Sequence, residues 1–475
     1  MSTTRLNVAR LVGASLAVAA MAGATGVMVG TFGYLEKSKR PEFVFSLVAL
    51  WVLFAVACLL LRRASARAAI VVILLGSIAL GGAAMSGPPD TSSDSARYAW
   101  DGIVQDAGIS PYAHAPSDPA LASLRPEWLF PTPVVDADGA THCPGIRNFG
   151  FTENDGSTAC TTINRVHVPT IYPPTSELFY AAVRGVVPVD AAYWPFQLTG
   201  LLLSAGTTVL LLVGLRRRGW DPRWAALWAL NPLVASEAIT NSHIDVLGAL
   251  LALAAAFAVA SGARWRGGIL LGAAIAAKII PVLAAPALLR RQPAKIVLAA
   301  VATFAVLYVP YVATTGVAVL GYLPGYLNEE GYDDGSRFVL LTTLLPGPIA
   351  LVVAGGMLAA IAVLVIVFSD PERPWVGQVV MIGATLIIAS PRYPWYALLL
   401  LPFIAMSGRW EWLTVPFVLA LHVVEPQNAT FRWSLLAAIA VIAAVSILRA
   451  RPAAVQHPKP AATALRTLSV TRSDT

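Results

Sequence analysis

The sequence predicts an all-α protein that crosses a lipid bilayer many times. Of its 475 residues, 57% are hydrophobic and only 12% are charged, whereas a soluble domain carries about 25% charged residues. Stretches of the length that a spanning helix needs, about 20 apolar residues, recur along most of the chain. This composition excludes a soluble globular protein. It makes the lipid bilayer a partner of the chain and gives no reason to expect a nucleic-acid partner.

The apolar stretches divide into about 12 predicted spans, each close to the length of a membrane-crossing helix. We place these spans at residues 9–32, 43–61, 68–86, 193–215, 223–240, 244–262, 295–315, 340–368, 375–390, 394–407, 411–424 and 431–449. The first stretch is too long for the core of a signal peptide, so we expect it to remain as a membrane helix.

Basic residues cluster at one end of these spans. They lie in the loops around 62–67, 216–223, 264–266 and 290–295, and in the tail from 449. Since the cytoplasmic loops of membrane proteins carry an excess of Lys and Arg, this side is predicted to be cytoplasmic. Both termini then lie in the cytoplasm, and the acidic loops face the exterior.

Four regions follow from this topology. They are N-terminal transmembrane helices at 1–86, a long exterior loop with an interfacial helix at 87–192, a transmembrane core at 193–448 with a second exterior loop at 316–339, and a disordered cytoplasmic tail at 449–475. A polar loop as long as 87–192 is usually either functional or disordered, and its aromatic residues and cysteines favour order.

The segment 266–291 is long enough to span, yet both of its flanks are basic. We interpret it as a re-entrant pair of short helices, broken near Lys278 to Pro281, that enters from the cytoplasmic side. Proline breaks the helical ladder, and broken helices inside membranes usually line a polar cavity. The alternative is a single kinked span.

The chain has three cysteines. Cys58 lies in a predicted span and fits a small buried apolar side chain. Cys143 and Cys160 share the long exterior loop, where an oxidising compartment would let them form a disulfide. The alternative is a pair of free thiols.

The exterior loop opens with the segment Asp94 to Tyr112, D-S-A-R-Y-A-W-D-G-I-V-Q-D-A-G-I-S-P-Y. If this segment is helical, Asp94, Tyr98 and Asp101 share one face. A carboxylate at the mouth of a membrane bundle can take a proton from a hydroxyl group when its pKa suits the operating pH. The alternative is that Ser93 or Asp94 merely caps the helix.

Several short motifs occur in order between residues 90 and 407. After D-S-A-R-Y-A-W-D-G and G-I-S-P-Y come T-I-Y-P-P-T at 170–175, A-L-N-P-L-V at 229–234, N-S-H-I-D-V-L at 241–247, A-A-K-I-I-P at 276–281 and S-P-R-Y-P-W-Y at 390–396. Together they resemble actinobacterial membrane glycosyltransferases of the GT-C fold, in particular the polyprenol-phosphate-mannose-dependent mannosyltransferases.

This resemblance implies a GT-C-like bundle in the plasma membrane of a bacterium, with the active site on the exterior face. In that family an aspartate of the first exterior loop is the catalytic base, and Asp94 matches its Asp-x-x-x-Tyr pattern. The donor would be a polyprenyl monophosphate sugar, with mannose as the sugar, and the acceptor a glycolipid or cell-envelope glycan. No cofactor is implied. The chain departs from the family in placing this loop after the third span instead of the first.

Lys278 and Arg392 are candidates to bind the donor phosphate, and Arg97 joins them beside Asp94. Lys278 is a lone charge in an apolar stretch, and a buried ammonium needs an anionic partner, although it could instead snorkel to the headgroups. Arg392 can present two parallel donors to a phosphate, although its turn could instead anchor the chain in the interface.

The predicted contacts to the sugar or acceptor are polar and aromatic residues near the exterior ends of the spans. They are Tyr98, Asp101, Tyr172, Asn241, His243, Asp245, Tyr393 and Trp395. Polar groups at membrane depth are costly and so suggest function, although Asn241, His243 and Asp245 could instead form a hydrogen-bonded cluster that closes a helix turn. Their spacing does not gather three ligands of a metal site, so no metal is expected.

Two alternative functions remain open at this point. The same scaffold could transfer arabinofuranose or another lipid-linked pentose, because sugar identity depends on a few hydroxyl contacts. A chain with about 12 spans could also move a lipid-linked saccharide across the bilayer, with Asp94 as a gating carboxylate, but the sequence lacks the repeated halves of many transporters.

Overall fold

A computed structural model describes residues 3–450, so nearly all of the predicted tail at 449–475 lies outside the described residues. The α-helices are α1 Thr3–Val27, α2 Arg40–Arg62, α3 Ala66–Ala84, α4 Asp94–Asp106, α5 Pro174–Arg184, α6 Trp194–Arg217, α7 Ala226–Ala229, α8 Asp245–Ala260, α9 Arg264–Ala277, α10 Pro293–Thr315, α11 Leu323–Glu329, α12 Gly347–Phe368, α13 Trp375–Ala389, α14 Leu401–Ser407, α15 Thr414–Val424 and α16 Asn428–Ala450. The strands are β1 Val134–Val135, β2 Thr141–His142, β3 Phe149–Thr152 and β4 Thr158–Thr161.

The structure confirms an all-α polytopic membrane protein. Within the described residues, seven helices are long and apolar enough to cross a bilayer, and the count rises to eight if one bent pair is a single span. This is fewer than the twelve predicted spans. The difference comes from 223–240 and 244–262, where the chain bends by 112° between Val234–Thr240 and α8, and from the three short apolar helices after residue 375.

Two glycines let α9 pack closely against α10. A Cβ atom at Gly268 would collide with the backbone of Ile296, and one at Gly272 would collide with the backbone of Ala300. Small residues four positions apart commonly allow such close approach of membrane helices. Because the contacting residue numbers rise together, α9 and α10 run parallel to each other.

The chain therefore has to reverse direction between these two helices. It does so at Lys278, which follows α9 in an extended conformation. From there it returns through the 3₁₀ turns Ile280–Ala284 and Pro286–Leu288. The segment leaves from the same end at which it entered, and the break lies near Lys278 as predicted. Its entry into the membrane from the cytoplasmic side stays a prediction. Lys278 lies at the tip of this hairpin.

The large loop, residues 87–192, is a folded lobe. Helices α4 and α5 pack against each other, with the rings of Tyr98 and Tyr180 stacked at 4.6 Å. Two small antiparallel hairpins, β1–β2 and β3–β4, complete the lobe. Cys143 and Cys160 are joined by a disulfide with their Cα atoms 5.5 Å apart. The apolar core of the lobe is built from buried side chains that include Trp100, Leu121, Leu129 and Ile163.

Candidate functional site

The backbone before α4 is held by one buried side chain. The Asn241 Oδ1 atom accepts hydrogen bonds from the backbone N–H groups of Asp90, Thr91 and Ser92 at 3.1, 3.1 and 3.2 Å. The Asn241 amide nitrogen donates to Thr91 Oγ1 at 2.8 Å. Three consecutive backbone donors on one oxygen fix this turn and therefore fix where α4 begins. The predicted role of Asn241 as a sugar contact is not supported, because its polar atoms are engaged in this clamp.

Asp94 is the first residue of α4, and its side chain does not cap the helix. The N-cap residue Ser93 makes no side-chain cap either. The Asp94 carboxylate instead accepts a hydrogen bond on Oδ1 from Asn164 Nδ2 at 2.9 Å, and one on Oδ2 from the Tyr172 hydroxyl at 3.3 Å. Two neutral donors thus aim the carboxylate and leave it partly accessible, since 15% of the side chain is exposed.

The accessible face of Asp94 borders a cavity of about 500 Å³ between the lobe and the membrane helices. Much of its wall is apolar or aromatic, and the rings of Tyr393 and Trp395 stack at 4.4 Å on one side. Small-molecule sites commonly combine a mostly apolar wall with a few polar groups that fix orientation. The apolar lining residues are Val168, Pro169, Ile171, Pro173, Ile279, Ile280, Leu323 and Leu327.

Three cations line the same cavity, and each has a carboxylate partner. Lys278 Nζ lies 2.6 Å from Asp245 Oδ2, which is the anionic neighbour that a buried ammonium requires. Arg97 Nε donates to both oxygens of Asp101 at 2.9 and 3.2 Å. Arg165 Nε donates to Glu329 Oε2 at 2.6 Å. The cavity therefore has positive groups on its wall whose charge is balanced within the protein.

Asp101 is a structural partner of Arg97 and does not border the cavity. Behind it, Glu177 accepts hydrogen bonds from Thr170 Oγ1 at 2.7 Å and Gln105 Nε2 at 2.9 Å. Burial, reinforced by the neighbouring Asp101 charge, raises the pKa of Glu177 well above its ordinary value. Burial also raises the pKa of Asp101, while the Arg97 guanidinium opposes that shift. The pair joins α4 to α5 as a buried network, and the sequence-based role of Asp101 as a sugar contact is not supported.

His243 lies behind Asp94, away from the cavity. Its ring is fully buried and stacks on Trp395 with the ring centroids 3.7 Å apart. Its Nδ1 atom lies 3.7 Å from Asp94 Oδ2, and its Nε2 atom lies 3.3 Å from Glu237 Oε2. The ring is therefore placed between two carboxylates and is not among the residues that line the cavity. Its predicted contact with a sugar stays a prediction.

The structure divides the sequence-predicted site residues into two groups. Those on the cavity wall are Asp94, Arg97, Tyr172, Lys278, Tyr393 and Trp395. The others are displaced from it: Tyr98 is buried among Tyr172, Tyr180 and Phe196, and Asp245 is engaged by Lys278. Arg392 is also displaced, because its half-exposed side chain lies beside Glu330, with the Arg392 Nε atom 4.0 Å from Oε2. Its predicted phosphate contact is not supported.

Sequence reasoning missed several cavity residues. Asn164 and Arg165 follow strand β4, and Arg165 adopts a left-handed backbone conformation with φ 52°. Tyr326, from the second loop, contacts the Tyr396 hydroxyl through its own hydroxyl at 2.6 Å. No local motif marks these residues. The only available signal was the concentration of tyrosines in both loops.

Residues 170–391 match glycosyltransferase family 87. No curated protein and no solved structure gives a significant match. Together with the apolar helices, the family match indicates an integral membrane glycosyltransferase, which uses a sugar donor and an acceptor. The matched residues include Tyr172, His243, Asp245 and Lys278, whereas Asp94 precedes them.

Proposed function

We propose that this glycosyltransferase moves mannose from a polyprenyl monophosphate carrier to a glycolipid or cell-envelope glycan. The reaction would take place on the exterior face of a bacterial plasma membrane, with both termini in the cytoplasm. The proposal is supported by one observation above all: a carboxylate aimed by two neutral donors borders a largely apolar cavity at the end of a membrane bundle.

Asp94 acts as the general base in this proposal. Its carboxylate removes the proton of an acceptor hydroxyl while that oxygen attacks the anomeric carbon of the donor sugar. The bond between the anomeric carbon and the phosphate oxygen breaks, and its electron pair leaves with the polyprenyl phosphate. Attack from the side opposite the phosphate inverts the anomeric configuration. A positioned base of this kind typically contributes a rate factor of about 10² to 10⁴.

The leaving phosphate gains negative charge as the sugar departs. Lys278 and Arg97 are the sequence-predicted cations on the cavity wall, and Arg165 is a third. Preorganised positive groups stabilise such developing charge without a general acid. The stacked Tyr393 and Trp395 rings offer a flat apolar surface to the sugar, as aromatic side chains do for ligands that are polar at one end and apolar at the other.

The test uses Asp94→Asn, which keeps the shape of the side chain but removes its basicity. Purified protein in lipid vesicles receives labelled polyprenyl monophosphate mannose and a crude envelope lipid fraction. We expect transfer to fall at least 100-fold, as loss of a general base implies. Asp106→Asn, an exposed carboxylate on the same helix, is the matched control and should retain the wild-type rate.

Transfer at the wild-type rate by Asp94→Asn would remove Asp94 as the base. A wild-type protein that transfers no mannose but accepts a lipid-linked pentose would overturn the choice of sugar. Analysis of the product's anomeric configuration tests the displacement, since a retained configuration contradicts direct attack.

A further inference from the structure

A second, smaller cavity is lined by Glu237, the carboxylate that lies beside His243 Nε2. It measures about 60 Å³, which is room for a few water molecules. Its walls come from α2, from α15 and from the segment that contains Glu237. Thr91 borders both cavities, so the two are separated there by little more than the turn before α4.

Three polar atoms on this second wall are buried without a hydrogen-bond partner among the described residues. They are Trp51 Nε1, Asp90 Oδ2 and Glu237 Oε2. An unsatisfied buried polar atom costs about 1 to 3 kcal/mol. Glu237 Oε2 has His243 Nε2 as a neighbour at 3.3 Å, so it is Trp51 Nε1 and Asp90 Oδ2 that point to ordered water in this cavity. Burial raises the pKa of Asp90 to about 6, and this loop carboxyl can therefore hold a proton beside that water.

His243 lies between one carboxylate of each cavity, Asp94 on the main cavity and Glu237 on the second. Its Nδ1 atom faces Asp94 at 3.7 Å and its Nε2 atom faces Glu237 at 3.3 Å, and neither nitrogen has an aligned hydrogen-bond partner in the described part of the chain. Catalytic hydrogen bonds are often long before substrate binds and shorten afterwards. Stacking on Trp395 holds the ring in an orientation in which one nitrogen faces Asp94 and the other faces Glu237.

We propose that His243 and Glu237 form a proton relay that carries the proton from Asp94 to the water-holding cavity between α2 and α15. The inference rests on the proposed role of Asp94 as the base. A donor with a long apolar carrier would fill the main cavity and hinder direct release of the proton from Asp94 to bulk water. The second cavity then supplies the exit.

The relay balances within each turnover. Asp94 Oδ2 passes the proton that it took from the acceptor to His243 Nδ1, and the same ring releases the proton on Nε2 to Glu237 Oε2. Glu237 then gives its proton to water in the second cavity. The ring returns to its starting tautomer between turnovers, when Nδ1 loses its proton to water and Nε2 takes one up from water. The charged groups that face His243 are Asp94 from α4, Glu237 from its own segment and Lys278 from the hairpin that follows α9.

The kinetic test compares Glu237→Gln and His243→Asn with the wild type in the mannose-transfer assay. We expect kcat to fall about tenfold or more in each, with the donor KM unchanged, since relay residues do not touch the donor. Glu411→Gln is the matched control, because Glu411 is also a buried carboxylate but pairs with Arg449 at the opposite end of the bundle. It should keep the wild-type kcat.

Chemical rescue separates proton transfer from a structural role. Added formate should restore kcat in Glu237→Ala, where the truncated side chain enlarges the second cavity, and should not restore Asp94→Asn. Thermal unfolding of each variant identifies any that fail to fold. Unchanged kcat in Glu237→Gln and His243→Asn, with Asp94→Asn inactive, would overturn the relay while leaving the proposed function intact.

The relay stays testable if mannose is not the sugar. Whichever lipid-linked sugar the wild type transfers then replaces mannose in the same comparison. Unchanged kcat in Glu237→Gln and His243→Asn contradicts the relay whatever the donor proves to be.

Discussion

Asn164 donates a hydrogen bond to Asp94 at 2.9 Å across 70 residues of sequence. The contact ties the end of the disulfide-closed hairpin to the first residue of α4. It orients the carboxylate toward the cavity. Among the described residues, no cationic group lies within hydrogen-bond distance of this carboxylate. The lobe thus has a direct effect on the reactive group, and the predictions below follow from such contacts.

Asn164→Leu should lower kcat about tenfold with little change in the melting temperature. A hydrogen bond to a charged group is worth about 1.5 to 3 kcal/mol, and its loss lets the carboxylate turn away from the acceptor. Steady-state transfer rates measure the effect. Asn328→Leu, which removes an exposed amide paired with Asp333, serves as the control. An equal loss in both variants would mean that the effect is not specific to Asp94.

Lys278→Met should destabilise the fold by about 3 kcal/mol, because it leaves the Asp245 carboxylate buried without its partner. The double variant Lys278→Met with Asp245→Leu should recover most of that stability, since both charges are then removed. Transfer should stay low in both, because the cavity still lacks the ammonium. Thermal unfolding and transfer assays on the same samples make the comparison. Recovered transfer in the double variant would show that Lys278 serves only to neutralise Asp245.

Cys143→Ser should loosen the hairpin region of the lobe. The bond closes a loop with a sequence separation of 17, and loop-closure arguments give about 3 kcal/mol for a loop of this size. Limited proteolysis should then cut between residues 143 and 160 faster than in the wild type. Reductant should speed this cleavage in the wild type and should leave it unchanged in the variant. Because Asn164 follows Cys160 closely, transfer should fall as well. Identical cleavage with and without reductant would contradict this prediction.

Glu177 should make stability depend on pH. Burial and the Asp101 charge raise its pKa above the ordinary value of 4.5, so the folded state binds a proton more tightly than the unfolded chain. The contribution of Glu177 to stability is therefore greatest at low pH and is lost as pH rises from the ordinary pKa toward the raised one. Glu177→Gln should remove this decline. Thermal unfolding of both proteins between about pH 5 and about pH 9 tests it, and parallel curves would contradict it.

A large part of the membrane fold could be predicted because hydropathy is a local property. Composition gave the all-α polytopic class, and seven predicted spans correspond to long apolar helices. The proline and lysine within 266–291 indicated the break at Lys278. At the other five predicted spans the structure has one bent pair of helices and three short helices. Apolarity alone does not determine where a buried helix ends.

The sequence by itself determined that a segment rich in carboxylates follows a membrane span at Asp94, because charge and hydropathy are local properties of the residues. It also placed Asp94, Tyr98 and Asp101 on one face for the case that the segment is helical. Only the tertiary structure decided which groups meet that carboxylate. Asn164 and Tyr172 reach it from 70 and 78 residues away, Asn241 is engaged by backbone donors, and Arg392 lies outside the cavity. Contacts of this kind depend on how the lobe packs on the helices, and short motifs carry no information about distances between segments that are far apart in the chain.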